Sequence, residues 1–234
     1  MQQRDFYCLL LGPYCILIFE AYMTKVYLVR HGQTDWNKKL TFRGRKDIPL
    51  NEAGHREAKA ILDALKNKDI GAIYTSPLRR SIETAEPIAK FFHLEIAPVQ
   101  GLIDINYGDW EGLTFNEVKK RYSDEYNKWE KRPDLIRFPN GETLDEAKER
   151  SFRAFKNIVK ENPGKSILIV PHRVINKVLL CALLGLSNSH FWEIKQDTGC
   201  INLVEYLNNR FILSLMNDTC HLKEIGDRTA QPDF

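Results

Sequence analysis

The sequence predicts an α/β protein, a three-layer α/β/α sandwich around a mostly parallel central sheet. Three short apolar runs, typical of strands that are buried on both faces, are each followed by a longer segment with helical spacing. This alternation favours a parallel sheet with helices packed on its faces. A chain of 234 residues with 43% hydrophobic side chains can bury a sizeable core, which excludes a disordered or fibrous protein.

The predicted elements follow one another in a regular order. The three strand and helix pairs are residues 26–29 with 51–66, 70–74 with 78–92, and 167–170 with 174–184. Asn51 is the expected N-cap of the first helix, and Pro77 marks the start of the second. Two more strands, residues 201–207 and 211–215, are separated by only three residues and predict a terminal hairpin or a pair of edge strands.

Two segments stand apart from this pattern. Residues 113–150 are more polar and contain proline breaks, so we expect a helical insertion that covers the ligand-binding end of the sheet. The apolar run within residues 6–19 is shorter than the roughly 20 residues of a membrane-spanning helix. Because Met23 directly precedes the first strand, we interpret residues 1–22 as an extension whose presence in the native protein is open, with a signal peptide as the alternative. The functional domain is then expected over residues 23–234.

The composition argues against several classes of function. The 34 basic and 31 acidic residues are interspersed and leave a net charge of +3, which does not indicate a nucleic-acid or membrane partner. The five cysteines form no CxxC pair, which favours a reduced, cytoplasmic setting. None of the six histidines forms an HxH or HxxxH pair, so we expect neither a metal nor another cofactor.

Polar residues follow the predicted strands at the points where the strands end. Arg30 and His31 follow the first strand, Arg79 comes shortly after the second, and His172 follows the third. Parallel strands bring their carboxyl ends to one rim, which is where open α/β sheets bind ligands. Guanidinium groups match phosphate oxygens bidentately, so the sequence predicts a phosphate-binding pocket at this rim.

Further motifs surround these positions in a fixed order. They are RHGQTDWN from residue 30, FRGRKDIPL from residue 42, SPLR from residue 76, GDWEG from residue 108, PNGET from residue 139 and PHR from residue 171. Together they resemble the histidine phosphatase superfamily, also called phosphoglycerate mutase-like, over residues 25–222. An Arg-His-Gly triplet alone is weak evidence, whereas this ordered set is specific.

The resemblance implies a two-step reaction through a phosphohistidine. His31 is the implied nucleophile and has to be neutral, and the like charges of Arg30 and Arg79 are expected to lower its pKa. His172 is the implied second phosphate-binding histidine, more useful when protonated. By family position Asn37, together with Arg30, Arg79 and His172, completes the cradle around the phosphate oxygens.

One catalytic position departs from the family's pattern. Asp104 stands where the family usually has a glutamate that protonates the leaving alkoxide. Its side chain is one methylene shorter, and a displacement of about 1 Å can cost on the order of a hundredfold in rate. Asp109, Glu111 and Glu142 therefore remain alternatives to Asp104 as the general acid.

Two arginines also depart from the family's pattern. Arg43 stands where glutamine is frequent, and Arg173 follows His172 where many relatives have glycine. Arg43 and Arg173 are candidates for binding the substrate, through a carboxylate or a second phosphate in the case of Arg173. The alternative for both is an arginine that only contacts solvent or forms a salt bridge.

The function implied by the resemblance is that of a metal-independent phosphomonoester hydrolase for a small phosphorylated metabolite. A cofactor-dependent phosphoglycerate mutase is the first alternative, and a non-catalytic phosphoanion-binding protein is the second. The short stretch over residues 112–140 favours the phosphatase branch, which includes α-ribazole phosphatases and metal-independent phosphoserine phosphatases. The intact set of Arg30, His31, Arg79 and His172 argues against a protein that only binds. Whether the chain forms a homodimer is left open.

Overall fold

The structure is a computed structural model that describes residues 8–11, 14–17 and 23–223. Strands β1 (Cys8–Leu11) and β2 (Tyr14–Leu17) pair antiparallel in a sheet of their own. Our interpretation of residues 1–22 depends on segments that lie outside the described residues. The same holds for residues 224–234 of the predicted domain.

The central sheet is mostly parallel, as predicted. Its strands are β3 (Thr24–Val29), β4 (Ile70–Thr75), β5 (Ile96–Pro98), β6 (Ser166–Val170), β7 (Ile201–Leu207) and β8 (Arg210–Asp218). They lie in the order β5-β4-β6-β3-β7-β8. The first four of these are parallel, β7 is antiparallel to β3, and β8 pairs antiparallel with β7 as the predicted hairpin. Strand β5 was not predicted, because three residues are too few to show a strand periodicity.

Helices cover both faces of the sheet. The described α-helices are α1 (Asp35–Lys38), α2 (Glu52–Leu65), α3 (Arg79–Phe92), α4 (Phe115–Arg121), α5 (Ser123–Lys131), α6 (Leu144–Glu161) and α7 (Arg173–Leu183). Side chains alternate along β3: Val26 and Leu28 pack with α6 and α7, whereas Tyr27 and Val29 pack with α2 and α3. This arrangement confirms the three-layer sandwich.

The helix boundaries follow the capping signals. Asn51 is the N-cap of α2, and its side chain accepts a hydrogen bond from the Gly54 amide at 2.9 Å, as predicted. Helix α7 begins at Arg173 with His172 as its N-cap, directly after β6. No helix among the residues that the structure describes has the length and apolar character needed to cross a bilayer.

The predicted insertion is helical, but its end differs from our expectation. Helices α4 and α5 lie within residues 113–150, and Tyr126 and Trp129 join the core cluster on the α6 side of the sheet. The boundary at residue 150 falls inside α6, which begins at Leu144 behind the N-cap Thr143 and packs against α7. The capping box formed by Thr143 and Glu146 marks this start in the sequence.

Candidate active site

His31 lies at the end of β3 and is completely buried. Its Nδ1 atom is 2.7 Å from the carbonyl oxygen of Gly32, whereas Nε2 has no hydrogen-bond partner among the described residues. A carbonyl oxygen can only accept, so Nδ1 carries the proton and Nε2 holds a lone pair. This is the tautomer that a nucleophilic imidazole needs.

The backbone that carries His31 is held by neighbouring helices. The amide of Gly32 donates to Thr84 of α3 at 3.0 Å, and the amide of Gln33 donates to Glu57 of α2 at 2.7 Å. The start of α2 comes so close that a Cβ atom on Gly32 would lie 2.7 Å from the carbonyl oxygen of Gly54. Both helices therefore fix the position of the imidazole.

His172 lies beside His31, as expected for residues at the ends of adjacent parallel strands. The two ring centroids are 5.1 Å apart with an interplanar angle of 63°, and His172 is also completely buried. Arg80 donates from Nε to Nδ1 of His172 at 3.2 Å, which places the ring proton of a neutral His172 on Nε2. That Nε2 has no partner within residues 23–223. The site thus contains one imidazole lone pair and one imidazole N–H donor.

The arginine after β4 that joins this site is Arg80, which corrects our expectation for Arg79. The side chain of Arg79 is 59% exposed and forms an ion pair with Glu83 at 3.1 Å. Arg80 is completely buried and donates to Asp104 at 3.0 Å and to the carbonyl oxygens of Gly44 and Lys46, both at 2.8 Å.

The phase of α3 explains the difference between the two arginines. The buried face of this helix carries Arg80, Ser81, Thr84, Ala85, Ile88 and Ala89. Arg79 is four residues before Glu83, on the opposite, charged face. The helical spacing from Thr84 and Ile88 back to position 80 is visible in the sequence and could have identified Arg80.

Asp104 is part of the same cluster, and its side chain is almost buried. One oxygen accepts from Arg80, and the other accepts from the amide of Ile105 at 2.9 Å. The Arg80-bound oxygen is also 3.6 Å from Nδ1 of His172. The shorter aspartate therefore lies next to the second histidine.

The alternative acids are held elsewhere. Glu142 forms ion pairs with Arg45 at 2.9 Å and Arg150 at 2.8 Å. Glu111 accepts from the amide of Arg45 at 2.9 Å, and Asp109 accepts from the Asn140 side chain at 3.1 Å. None of these three carboxylates lines the neighbouring pocket, whereas Asp104 does.

A pocket that opens to solvent adjoins the cluster. Five of the expected site residues line it, namely Arg30, Asn37, Arg43, Asp104 and Arg173. The aromatic side chains of Trp36, Phe42, Tyr107 and Phe115 line it as well. Three buried residues do not line the pocket, namely His31, Arg80 and His172. Arg80 nevertheless donates hydrogen bonds to Gly44 and Asp104, which do line it.

Burial and positive charge keep both histidines neutral. The pKa of His31 is lowered well below its ordinary value, first by burial and then by Arg80, Arg43 and Arg30. The pKa of His172 is lowered in the same way, by burial and then by Arg80. The lowered pKa of His31 agrees with our expectation in its direction and in the part that Arg30 plays, whereas Arg80 and not Arg79 contributes to it. The neutral state of His172 differs from the protonated His172 that we expected, because Arg80 donates to its Nδ1 and opposes a second ring proton.

These two lowered pKa values make the stability of the fold pH-dependent. In the unfolded chain each histidine has a pKa of about 6.5. In the folded chain the lowered pKa keeps each imidazole neutral at pH values below this. The unfolded chain therefore binds more protons as the pH falls below about 6.5, and stability that is present above this pH is lost. We expect the free energy of unfolding in urea to fall by up to about 1.4 kcal/mol per pH unit for each histidine.

The control for this prediction is the double variant His31→Asn with His172→Asn, which should lose most of the pH dependence between about pH 6.5 and 5.5. An equally steep dependence in the double variant would show that other groups cause it.

Comparison with known proteins places this geometry in a family. The model of the "Histidine phosphatase superfamily (branch 1)" matches residues 26–219. Phosphoserine phosphatase 1 of Hydrogenobacter thermophilus is 31% identical over 202 residues, which cover 86% of this chain and 96% of that protein.

Solved structures agree with the family match. YhfR of Bacillus stearothermophilus has a TM-score of 0.83 and 30% identity, and the match covers 86% of this chain and all of that one. Phosphoserine phosphatase of Entamoeba histolytica, in complex with 3-phosphoglyceric acid, has a TM-score of 0.78 and 28% identity, covering 85% of this chain and 99% of that chain. The chain belongs to the histidine phosphatase superfamily, branch 1, and is a histidine phosphatase-type hydrolase.

Proposed function

We propose that this protein hydrolyses monoesters of small phosphorylated metabolites through a phosphohistidine at Nε2 of His31. The observation that carries the proposal is the lone pair on this atom, which has no partner among the described residues and lies in a cluster of cationic side chains. A site that only bound phosphate would need donors and would gain nothing from an unpaired nitrogen acceptor.

Two displacements at phosphorus account for the reaction. In the first, Nε2 of His31 attacks phosphorus, a P–N bond forms, the ester P–O bond breaks and the alcohol leaves with a proton. In the second, water attacks the phosphohistidine, the P–N bond breaks, and inorganic phosphate leaves while the lone pair returns to Nε2. Each step is easier than direct attack of water on the ester.

The neighbouring side chains stabilise the charge on the phosphoryl oxygens. Arg30 and Arg80 supply fixed positive charge, and Nε2–H of neutral His172 supplies a hydrogen-bond donor. Asn37 of α1 lines the pocket; its amide oxygen accepts from the Thr34 amide at 2.8 Å, and its amide nitrogen is the proposed donor to these oxygens. Because the donors are buried and already in place, they need little reorganisation during the reaction.

Asp104 is the proposed proton donor to the leaving alcohol, for which it must carry a proton when the ester is bound. Once that proton has left, its carboxylate is paired with Arg80 and accepts a proton from the attacking water. Its support is its location: among Asp104, Asp109, Glu111 and Glu142 it alone lines the pocket, and it is next to His172. Asp104→Asn is expected to lower kcat for an alkyl phosphate by about 10²- to 10⁴-fold. The loss for p-nitrophenyl phosphate should be smaller, because p-nitrophenolate leaves without a proton.

Steady-state rates for both esters test this role, and Asp109→Asn is the matched control that should behave like the parent. If kcat falls equally for the two esters, Asp104 does not donate the proton and acts instead by positioning Arg80. Parental turnover of the alkyl ester in Asp104→Asn would remove it from the mechanism.

Assays with excess chelator distinguish this proposal from its alternatives. Release of inorganic phosphate from p-nitrophenyl phosphate and from a panel of phosphorylated metabolites supports the hydrolase. Conversion of 3-phosphoglycerate to 2-phosphoglycerate would instead support a mutase, which the phosphatase relatives make less favoured. If neither activity is detected, the remaining alternative is a protein that only binds phosphoanions. The homodimer and the cytoplasmic location stay predictions from the sequence.

A further inference from the structure

The pocket contains two arginines that the proposed phosphoryl transfer does not use, Arg43 and Arg173. We infer that they form a second anion subsite, so that the natural substrate carries a carboxylate or a second phosphate close to its phosphomonoester. This inference rests on the proposed function and adds the class of substrate to it.

Neither arginine has an ion-pair partner in the part of the chain that the structure describes, although the charge of Asp104 partly offsets the lowering that burial causes in the pKa of Arg43. Within residues 23–223, no Asp or Glu oxygen forms an ion pair with Arg43 or Arg173, and Nε of Arg43 is buried without a hydrogen-bond partner. The other arginines around this site differ: Arg80 pairs with Asp104, and Arg45 and Arg150 both pair with Glu142. A partly buried guanidinium without a counter-charge destabilises the fold, which indicates that a ligand supplies the charge.

The position of Arg173 strengthens this argument. It is the first residue of α7, where the helix dipole disfavours a cation, and the first turn contains no acidic residue. The half-buried Arg173 lies close enough to the buried Tyr107, which also lines the pocket, for its charge to oppose the rise that burial causes in the pKa of that phenol. Arg173 is therefore held at the pocket wall and does not extend freely into solvent.

Several guanidinium groups lie close to one another at this site. The pocket wall contains the guanidinium groups of Arg30, Arg43 and Arg173, and Arg80 lies beside it in an ion pair with Asp104. Burial together with Arg30, Arg80 and Arg173 lowers the pKa of Arg43, as expected for cations facing one another. A second anionic group on the substrate would offset the repulsion among these cations.

Matched pairs of phosphomonoesters test the inference and identify the anion. One pair is 3-phosphoglycerate and glycerol 3-phosphate, which differ by a carboxylate. The other is 1,3-propanediol bisphosphate and 3-hydroxypropyl phosphate, which differ by a phosphate. In at least one pair, kcat/KM should be roughly 10- to 100-fold higher for the ester with the extra anion, mainly through a lower KM. The pair with the larger ratio identifies the group that the subsite prefers.

Substitutions of the two arginines test whether they cause the preference for the extra anion. Arg173→Met and Arg43→Gln should each reduce the ratio within the preferred pair by roughly tenfold. Arg173→Lys should retain part of it, because the charge remains while the bidentate geometry is lost. Lys39→Met is the control for general attraction of anions, since Lys39 is an exposed cation next to Leu40 of the pocket wall. It should leave the ratio unchanged.

The outcomes separate the two proposals. Hydrolysis of both members of each pair at equal kcat/KM would overturn the subsite and leave the phosphatase in place. The subsite would also be overturned if the preference for the ester with the extra anion persisted in both Arg43→Gln and Arg173→Met. The same would hold if these variants lowered kcat/KM equally for both members of the pair. If no ester is hydrolysed the proposed function fails, and calorimetric binding of the same pairs to the parent protein still decides whether the extra anion is recognised.

Discussion

Replacement of His31 by alanine is expected to lower kcat/KM for every phosphomonoester by about four orders of magnitude or more. Removal of a nucleophile that works together with its neighbours abolishes nearly the whole covalent pathway, as in other enzymes of this kind. No other histidine can substitute in place: Nδ1 of His172 accepts from Arg80, and its Nε2 carries the ring proton. The measurements are initial rates and rapid-quench trapping of ³²P from a labelled ester.

The matched control is His55→Ala, because His55 is exposed on α2 and should be catalytically silent. The parent should show acid-labile label on His31, and the alanine variant should show none. Label on His172 in the parent would exchange the roles of the two histidines. Parental rates in His31→Ala would rule out the phosphohistidine.

The sequence could predict the parts of the site that directly follow buried strands. His31 and His172 come one or two residues after apolar runs that had to be strands, so the parallel sheet alone brings them to one rim. Asn51 as the N-cap of α2 was equally visible, because its capping role depends only on the next few residues.

The remaining features depend on distances that the sequence does not contain. Arg80 rather than Arg79 enters the site because α3 presents that side to the core, and a one-residue error rotates a side chain by about 100°. Asp104 joins Arg80 across 24 positions of the chain, which no local pattern indicates. The neutral state of His172 follows in part from Arg80 as well. Arg80, which we did not predict as a site residue, therefore accounts both for the arginine found in the site and for the protonation state of His172.

Arg80→Met is expected to be far more damaging than Arg79→Met, although the two residues are adjacent. Arg80 makes four hydrogen bonds, one to Asp104 and one to His172, and its side chain is completely buried. Its loss removes a charge-stabilising donor, and we expect kcat/KM to fall by about 10²- to 10³-fold. The side chain of Arg79 forms a surface ion pair with Glu83, of a kind that contributes up to about 1 kcal/mol, so Arg79→Met should keep nearly parental activity.

Stability measurements separate catalysis by Arg80 from its structural role. Arg80→Met leaves the carboxylate of Asp104 buried without its guanidinium, and removing one member of such a pair destabilises a fold by about 3–5 kcal/mol. The double variant Arg80→Met with Asp104→Asn removes the stranded charge, so it should be more stable than the sum of the single effects indicates. Activity should not return with that stability, because the cationic donor is still missing. Recovery of both together would reduce Arg80 to a structural residue, and a severe loss in Arg79→Met alone would restore our original assignment.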